Sequence, residues 1–527
     1  MNIAERGAYW GRWRPDAVAV KIDGKETTFG EWADRIPRIA GALAARGIQP
    51  GDRVGVLGMN SVEWCELALG ALHAGAVVVP LNIRFAPPEL SYVLDHSGCR
   101  AVGYDSAFAE LFARANENAQ SEALRISLDG AADADVTHGE LRSPDCRPGC
   151  VVRGASDPAV IGYTGGTTGF PKGATLTHGN IAAMALQYAL AEGATINRRT
   201  ILPIPLAFTG GVVNNFLGTY AVGGALILER EFVPERILQL LVAERITSMI
   251  GVPIMWQEVA AVDGFAEADL STLETAICGG SPVSQELLET FLAKDVLIRQ
   301  AYALTESSGS ACVLPKAYAL SKKKTAGVPN AHTEIRLVAD DGAEINEPGV
   351  IGEILVRGPQ VMSHYWEDQN ATAEALRDGW LFTGDLGCFD ADRFLRVVDR
   401  KKAMFVSGGL NVYPVEIERV VEAFPGVAEC AAFGLPHERY GEASALVVRG
   451  TNGPLDVDAL LARCREQLAD YKVPRTVIQT GQLLPRSGLG KLLRNELSAR
   501  YGPSLPPTRL ATGSQSFARP PWTRSPR

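Results

Sequence analysis

The chain has 527 residues, 46% of them hydrophobic and 21% charged, with a formal net charge of −9. That length exceeds what a single hydrophobic core sustains, so two or more domains are expected. The acidic balance gives no electrostatic support to general nucleic-acid binding. The nine cysteines, odd in number and scattered, read as free thiols of a reducing compartment rather than as a disulfide framework.

From the N-terminus, Met1 to Val20 contains no apolar run of signal-peptide length. Thr28 to Arg46 reads as an amphipathic helix with Trp32, Ile36, Ile39 and Leu43 on one face, and Pro37 inside it predicts a kink or an early break. Arg53 to Leu57 and Ala76 to Val79 read as short buried strands. The most apolar stretch, Ala68 to Ile83, holds His73, Pro80 and Asn82 and reads as helix end, turn and strand rather than a membrane span. Cys146 and Cys150 are the closest cysteine pair. His138 lies upstream of them, but no second pair completes a zinc-site spacing. Val160 to Tyr163 is a strand feeding a glycine/threonine loop. Ile201 to Pro205 and Ala225 to Leu228 repeat the strand pattern with helices between, so an α/β fold with layered, largely parallel sheets is expected. At Ile351 to Val356 and Phe394 to Val398 the runs shorten and hairpin-like turns enter. Beyond the cluster Asp399-Arg400-Lys401-Lys402, a helix (Val415 to Ala423), two strands (Ala428 to Phe433, Ala443 to Val448) and a helix (Val457 to Leu468) predict a small α+β domain. From Gly502 onward the chain is Pro/Ser/Arg-rich without an acidic residue and is expected to be a disordered tail. The final Ser-Pro-Arg is no peroxisomal address. A soluble, cytoplasmic protein without a transmembrane segment is the expectation.

The most informative stretch is Tyr163-Thr164-Gly165-Gly166-Thr167-Thr168-Gly169-Phe170-Pro171-Lys172-Gly173. Glycines let backbone N–H groups converge on an anion, threonine hydroxyls add donors, and Lys172 supplies mobile positive charge. The common nucleotide P-loop needs Gly-Lys-[Ser/Thr] after its spacer, whereas here Pro171 precedes the lysine and Gly173 follows it.

This loop resembles the phosphate loop of the adenylate-forming superfamily, which comprises acyl- and aryl-CoA ligases, amino-acid adenylation domains and luciferases. Four further stretches resemble that family in the expected order. They are Gln300-Ala301-Tyr302-Ala303-Leu304-Thr305-Glu306-Ser307, then Gly379-Trp380-Leu381-Phe382-Thr383-Gly384-Asp385, then Asp399-Arg400-Lys401-Lys402 running into Ser407-Gly408-Gly409, and last Leu484-Pro485-Arg486-Ser487-Gly488-Leu489-Gly490-Lys491. Alone, Tyr302 would pass for a core aromatic, Asp385 for a turn residue, Glu306 for a first-turn glutamate and Lys491 for a solvated charge. It is the five stretches in register that carry the resemblance, which spans about residue 15 to about residue 500.

The resemblance implies an N-terminal AMP- and acyl-binding domain over residues 1–399, a mobile C-terminal domain over 400–501 with its hinge at Lys402, and a tail over 502–527. It implies that ATP, with Mg²⁺, activates a carboxylic acid as an acyl-adenylate with loss of pyrophosphate, and that coenzyme A then takes the acyl group as a thioester. Thr164, Gly165, Gly166, Thr167, Thr168, Gly169 and Lys172 would hold the β- and γ-phosphates. Thr305 would donate to the α-phosphate and Glu306 would hold Mg²⁺. Tyr302 would stack on adenine, with Gly280, Ser281 and Pro282 as pocket wall, and Asp385 with Arg400 would bind the ribose. Lys491 would bridge the acid and the α-phosphate. Ser407, Gly408 and Gly409 would admit pantetheine after the small domain rotates. Phe208, Gly210, Gly211, Val213, Asn214, Val252, Pro253, Trp256, Gly279 and Ala303 would line the acyl channel.

Departures from the family pattern are Gly165 in place of a serine, Ala207-Phe208 where many relatives carry an aromatic-His pair, Ala303 in place of glycine, and Ala403 beside the hinge in place of an acidic residue. Phe208 cannot grip an ammonium group as an aspartate would, which argues against an amino-acid-activating domain that loads a carrier protein. A luciferase-like oxygenase and a catalytically dead nucleotide-binding regulator are further rivals. The channel set holds no positive charge for a second carboxylate. A medium-to-long fatty acid is the narrow preference, with a benzoate-, cinnamate- or feruloyl-type acid as the alternative, for which Asn214 would meet a polar ring substituent. Small-molecule acid, ATP and coenzyme A are the expected partners, and the oligomeric state is left between monomer and homodimer.

Overall fold

The computed structural model describes residues 2–117, 123–143, 145–164, 170–280, 283–400, 404–451, 453–485 and 494–501, the side chains of 399, 400 and 495 excepted. The hinge position Lys402 and the tail from 502 lie outside the described residues.

Two large sheets carry the N-terminal part. One has nine strands. Its centre runs parallel from Ile298–Leu304 through Thr275–Cys278, Ser248–Gly251, Arg199–Leu202 and Ala225–Leu228 to Val18–Ile22, and antiparallel strands close both edges. The other has eight strands. Pro158–Thr164, Val77–Pro80, Arg53–Leu57, Cys99–Tyr104, Leu124–Ser127 and Val136–Thr137 are parallel, and Lys172–Thr177 returns antiparallel beside Pro158–Thr164. Val77–Pro80 and Thr275–Cys278 are buried at every position, as strands covered on both faces must be.

The helix expected at Thr28 to Arg46 runs over Phe29–Ala45, with Thr28 and Glu31 forming a capping box. Pro37 lies inside it and does not end it, so of the expected kink or early break the break does not occur. Losing the proline N–H costs about 3 kcal/mol. Trp32, Ile36, Ile39 and Leu43 are all fully buried, each contributing about 1.5–3 kcal/mol, so packing outweighs the lost bond. The strand expected at Ile201 to Pro205 stops at Leu202.

A third, antiparallel sheet of Glu334–Val338, Gly352–Arg357, Trp380–Phe389, Leu376–Arg377 and Leu395–Arg400 follows. The small C-terminal domain has its own five-stranded sheet, in which Val427–His437 and Gly441–Gly450 form a long hairpin. Helices Pro414–Glu422 and Val457–Gln467 cover it around a separate core that includes Ile417, Val421, Leu446 and Leu460. All nine cysteines are free. Among the described residues no cluster of three or more His, Cys, Asp or Glu side chains could hold a metal ion, and no helix is long and apolar enough to cross a membrane.

Candidate active site

The glycine/threonine stretch follows directly on the strand Pro158–Thr164. Thr164 ends one strand and Lys172 opens the next, and the two are register partners. Gly165, Gly166, Thr167, Thr168 and Gly169 between them lie outside the described residues. Glu306 faces the hairpin from the short turn Thr305–Ser307. Its Oε1 accepts from Tyr365 Oη at 2.8 Å and from Thr164 Oγ1 at 3.5 Å, and Lys172 Nζ lies 5.4 Å from the Tyr365 ring centroid. The turn is pinned by Met362 N, which donates to Glu306 O at 2.7 Å. A cation, a carboxylate and two hydroxyls thus gather at the mouth of the loop.

Tyr302 and Asp385, 83 positions apart in sequence, meet directly: Tyr302 Oη donates to Asp385 Oδ2 at 2.6 Å. Both are buried, at 7% and 2% exposure. Asp385 pairs with Arg400 across the adjacent antiparallel strands, which puts the two expected ribose residues side by side in register. Gly280 has φ of +83°, open to glycine without strain. Ser281 and Pro282 lie outside the described residues.

Two connected clefts contain these groups. One, of about 1020 Å³, is lined by Thr164, Lys172, Glu306 and Tyr365 together with Thr209, Gly210, Asn214, Ala303 and Gly309. The other, of about 660 Å³, is lined by Phe208, Val252, Met255, Gly280, Tyr302 and Asp385, among others. Thr164, Ala303 and Thr305 belong to both. Gly210 and Asn214 of that lining belong to a π-helix, Gly210–Leu217, a rare, wide turn found frequently at functional sites. Asn215 Nδ2 closes it by donating to Gly210 O at 3.1 Å.

Not all of the expected acyl residues reach these clefts. Trp256 is fully buried, donates through Nε1 to Ile277 O at 3.2 Å and stands edge-on to Phe291. It is a core residue, and Met255, one position earlier on the same helix, takes the cleft position instead. Val213 belongs to the core. Gly211 packs on the backbone: a Cβ there would stand 2.4 Å from Pro205 O. Pro253 opens the helix Pro253–Ala260, which accounts for its place, and Gly279 is not among the lining residues, a Cβ there meeting Ala301 O at 3.5 Å. Phe208, Gly210, Asn214, Val252 and Ala303 line the clefts.

The segment expected to admit pantetheine is a hairpin. Phe405–Ser407 and Leu410–Val412 pair around Gly408 and Gly409, with φ of +57° and +80°, a two-residue turn that requires left-handed residues at both positions. Gly409 lines the same cleft as Phe208 and Tyr302, and a Cβ on it would stand 3.0 Å from both Val252 methyls. Ser407 and Gly408 do not line it. Lys491 lies outside the described residues.

Sequence reasoning missed Thr209, Met255, Gly309, Tyr365 and Asn411, all of which line the clefts. Only Gly309 carried a local signal, following directly on Thr305-Glu306-Ser307-Ser308.

Residues 8–366 match the family of AMP-binding enzymes, and residues 416–491 match the AMP-binding enzyme C-terminal domain. Feruloyl-CoA synthases of an Amycolatopsis and a Streptomyces species are 39% identical to the chain over 93% of it and 97% of their own length. A long-chain-fatty-acid–CoA ligase of Mycobacterium tuberculosis is 36% identical over 91% of the chain and 94% of its own length. A double mutant of o-succinylbenzoate CoA synthetase from Bacillus subtilis, bound to its product analogue OSB-NCoA, superposes with a TM-score of 0.84 at 28% identity, covering 95% of the chain and 98% of its own. The same synthetase with its acyl-adenylate intermediate OSB-AMP, also 28% identical, covers 94% and 97% but superposes with a TM-score of 0.68.

Proposed function

The chain belongs to the AMP-binding enzymes and is an AMP-forming acid–CoA ligase, and we propose that the acid it activates is an aryl acid of the feruloyl type. The observation that carries this reading is the 39% identity to feruloyl-CoA synthases along nearly the whole of both chains. A medium-to-long fatty acid is the second reading. It is favoured by the 36% identity to a long-chain ligase and by the open space at Gly210, where a Cβ would meet nothing within 4 Å.

In the first half-reaction a carboxylate attacks the α-phosphate while pyrophosphate leaves, and the protein's work is positioning and charge neutralisation. Lys172 and the loop before it take the β- and γ-phosphates. Thr305, shared by both clefts, donates to the α-phosphate. Tyr302 and Asp385 hold the nucleoside, the aspartate on the ribose hydroxyls. Lys491 is assigned the charge shared by the acid and the α-phosphate. The residues also fit Mg²⁺: Glu306 Oε1 is occupied by Tyr365 and Thr164, while its Oε2 has no protein partner among the described residues, and a hard cation takes one or two carboxylates plus phosphate oxygens. When bound it would neutralise phosphate charge.

In the second half-reaction Gly408 and Gly409 leave a backbone-wide passage for the thiol arm. The small domain already stands with Gly409 on Val252, and the higher TM-score to the product-analogue complex than to the adenylate complex of one relative supports reading this as the thioester-forming placement. We assign the domains to 1–399 and 400–501 with the hinge at Lys402.

A CoA-ligation panel of ferulate, para-hydroxycinnamate, cinnamate, benzoate and fatty acids of graded length tests the proposal. The highest kcat/KM is expected on a cinnamate derivative. Turnover confined to fatty acids would replace the aryl reading with the second one.

A further inference from the structure

Two helices, Pro87–Ser97 of the large domain and Pro414–Glu422 of the small one, reach the same two bridging side chains. Lys472 Nζ lies 2.6 Å from Glu89 Oε1 and 3.4 Å from Glu416 Oε1. Three positions further along each helix, the Phe170 ring meets Tyr92, at 4.7 Å between centroids, and Arg419, whose guanidinium carbon stands 4.2 Å from the Phe170 centroid. Residues three apart on a helix are neighbours on its surface, so each helix presents both contacts from one side. Phe170 therefore belongs to the domain interface, although it stands in the phosphate-binding stretch, two positions before Lys172. Arg419 Nε is buried without a hydrogen-bond partner among the described residues, so the guanidinium is met through the ring and not through that nitrogen. The same large-domain helix holds the other end of the stretch. Tyr92 stacks on His96 at 5.3 Å, and His96 Nδ1 is hydrogen-bonded to Tyr163 Oη at 2.8 Å.

We propose that Arg419 is a positioning residue of the thioester-forming half-reaction and acts through Phe170, so that the phosphate-binding stretch is itself a docking point of the small domain. The inference rests on reading the present placement of the small domain as the thioester-forming one. A cation over an aromatic face is attracted by the ring quadrupole. Arg419 is carried away when the small domain turns, whereas Tyr92 stays. Pyrophosphate drawing the stretch onto Lys172 and the clamp drawing Phe170 onto Arg419 compete for one short segment. Such coupling is reciprocal: the clamp weakens pyrophosphate binding by the factor by which pyrophosphate weakens the clamp. Loss of pyrophosphate after the first half-reaction then frees Phe170 to receive the small domain.

The test follows each half-reaction by single turnover in the full-length enzyme, in Arg419→Ala, Arg419→Lys and Phe170→Ala, and in the double alanine variant. Thioester formation from the supplied adenylate of the preferred acid is expected to slow about 2- to 5-fold in each single alanine variant, the rate equivalent of one cation–ring contact. Arg419→Lys keeps a cation and is expected to recover most of that rate, and the double variant is expected to be no slower than either single one. In Arg419→Ala, ATP–pyrophosphate exchange is expected to persist, and the Kd for magnesium pyrophosphate to fall by up to the same factor, a shift that a merely structural contact would not produce. Losses that multiply in the double variant, or an unchanged Kd for pyrophosphate, would overturn the clamp. Glu89→Gln tests the placement separately. Slowing of the thioester half by Glu89→Gln but not by Arg419→Ala would overturn the clamp and leave the placement reading standing, and slowing of adenylation alone by both would overturn the two together.

Discussion

Glu89 and Lys472, 383 positions apart, form a buried ion pair between the large and small domains: Lys472 Nζ donates to Glu89 Oε1 at 2.6 Å. The other oxygen of Glu89 accepts from Ala469 N at 2.9 Å, and Glu416 flanks the lysine at 3.4 Å. Burial works against the ammonium, but Tyr471 and the two carboxylates around it raise the Lys472 pKa on balance. Because the pair joins the two domains, it stabilises one placement of the small domain and contributes nothing once that domain turns away. Glu89→Gln keeps the helix-capping shape and removes the charge. It is expected to slow thioester formation from a supplied acyl-adenylate about 10-fold, near 1.4 kcal/mol, with ATP–pyrophosphate exchange retained. Equal slowing of both halves would remove the placement-specific role.

The two steps are expected to separate in the small domain. Lys491→Ala should reduce adenylation by roughly 100- to 1,000-fold, the scale of losing one preorganised electrostatic group, and do far less to thioester formation from the adenylate. Gly409→Leu should do the reverse, since the residue has φ of +80° and only 3.0 Å to Val252. Single-turnover measurement of each half-reaction for both variants decides, and equal impairment of both halves by both would contradict a rotating domain.

Asp385→Ala is expected to raise the KM for ATP by roughly 10- to 100-fold, since a lost polar contact to the ribose costs about 1–3 kcal/mol and the variant also frees Tyr302 from its 2.6 Å bond. An unchanged KM in a folded variant would remove Asp385 from the nucleotide site.

Gly210 and Gly211 should respond oppositely to bulk. Gly210→Trp is expected to fold and to block long or ringed acids while sparing acetate-sized ones, because its Cβ meets nothing within 4 Å. Gly211→Trp is expected to destabilise the protein outright, against Pro205 O at 2.4 Å. Activity across acid lengths, with thermal midpoints, separates the two.

His138 is buried beside Glu66, 3.4 Å away, and Arg142 and Arg35 also bear on it. Burial first, then the two arginines, lower its pKa from 6.5 to about 3. The unfolded chain protonates this group near 6.5 while the folded one stays neutral, so its stabilisation is complete above 6.5 and is lost as pH falls toward 3. Glu66, raised by burial, runs the other way above its ordinary value. Between pH values of about 6.5 and 4.5 the histidine should cost about 2–3 kcal/mol. His138→Gln should show a smaller acid-side drop in thermal midpoint than the native chain, and an equal drop would assign acid sensitivity elsewhere.

The helices and strands around the site were legible because each obeys a local rule. Trp32, Ile36, Ile39 and Leu43 announce an amphipathic helix, the all-apolar run Ala76 to Val79 announces a buried strand, and Thr164 and Lys172 bracket a loop whose composition suits an anion. Pro37 does not break its helix because propensity is local, whereas the four side chains that hold the helix together lie in a core shared with residues distant in sequence. Trp256 misled for the same reason. Its position in a helix is visible from the sequence, but the face that meets Phe291 rather than the cleft is fixed by how that helix lies on the nine-stranded sheet.

Sequence alone determined the class of chemistry, because phosphate, carboxylate and thiol each demand particular residue types in short, contiguous stretches. Tertiary structure decided which of those residues meet. Tyr302 reaches Asp385, Tyr365 reaches Glu306, Arg419 reaches Phe170 and Lys472 reaches Glu89, and every one of these pairs is long-range. Their approach depends on strand order and on where the small domain rests. These are properties of packed sheets and of a domain interface, with no counterpart in neighbouring residues of the chain.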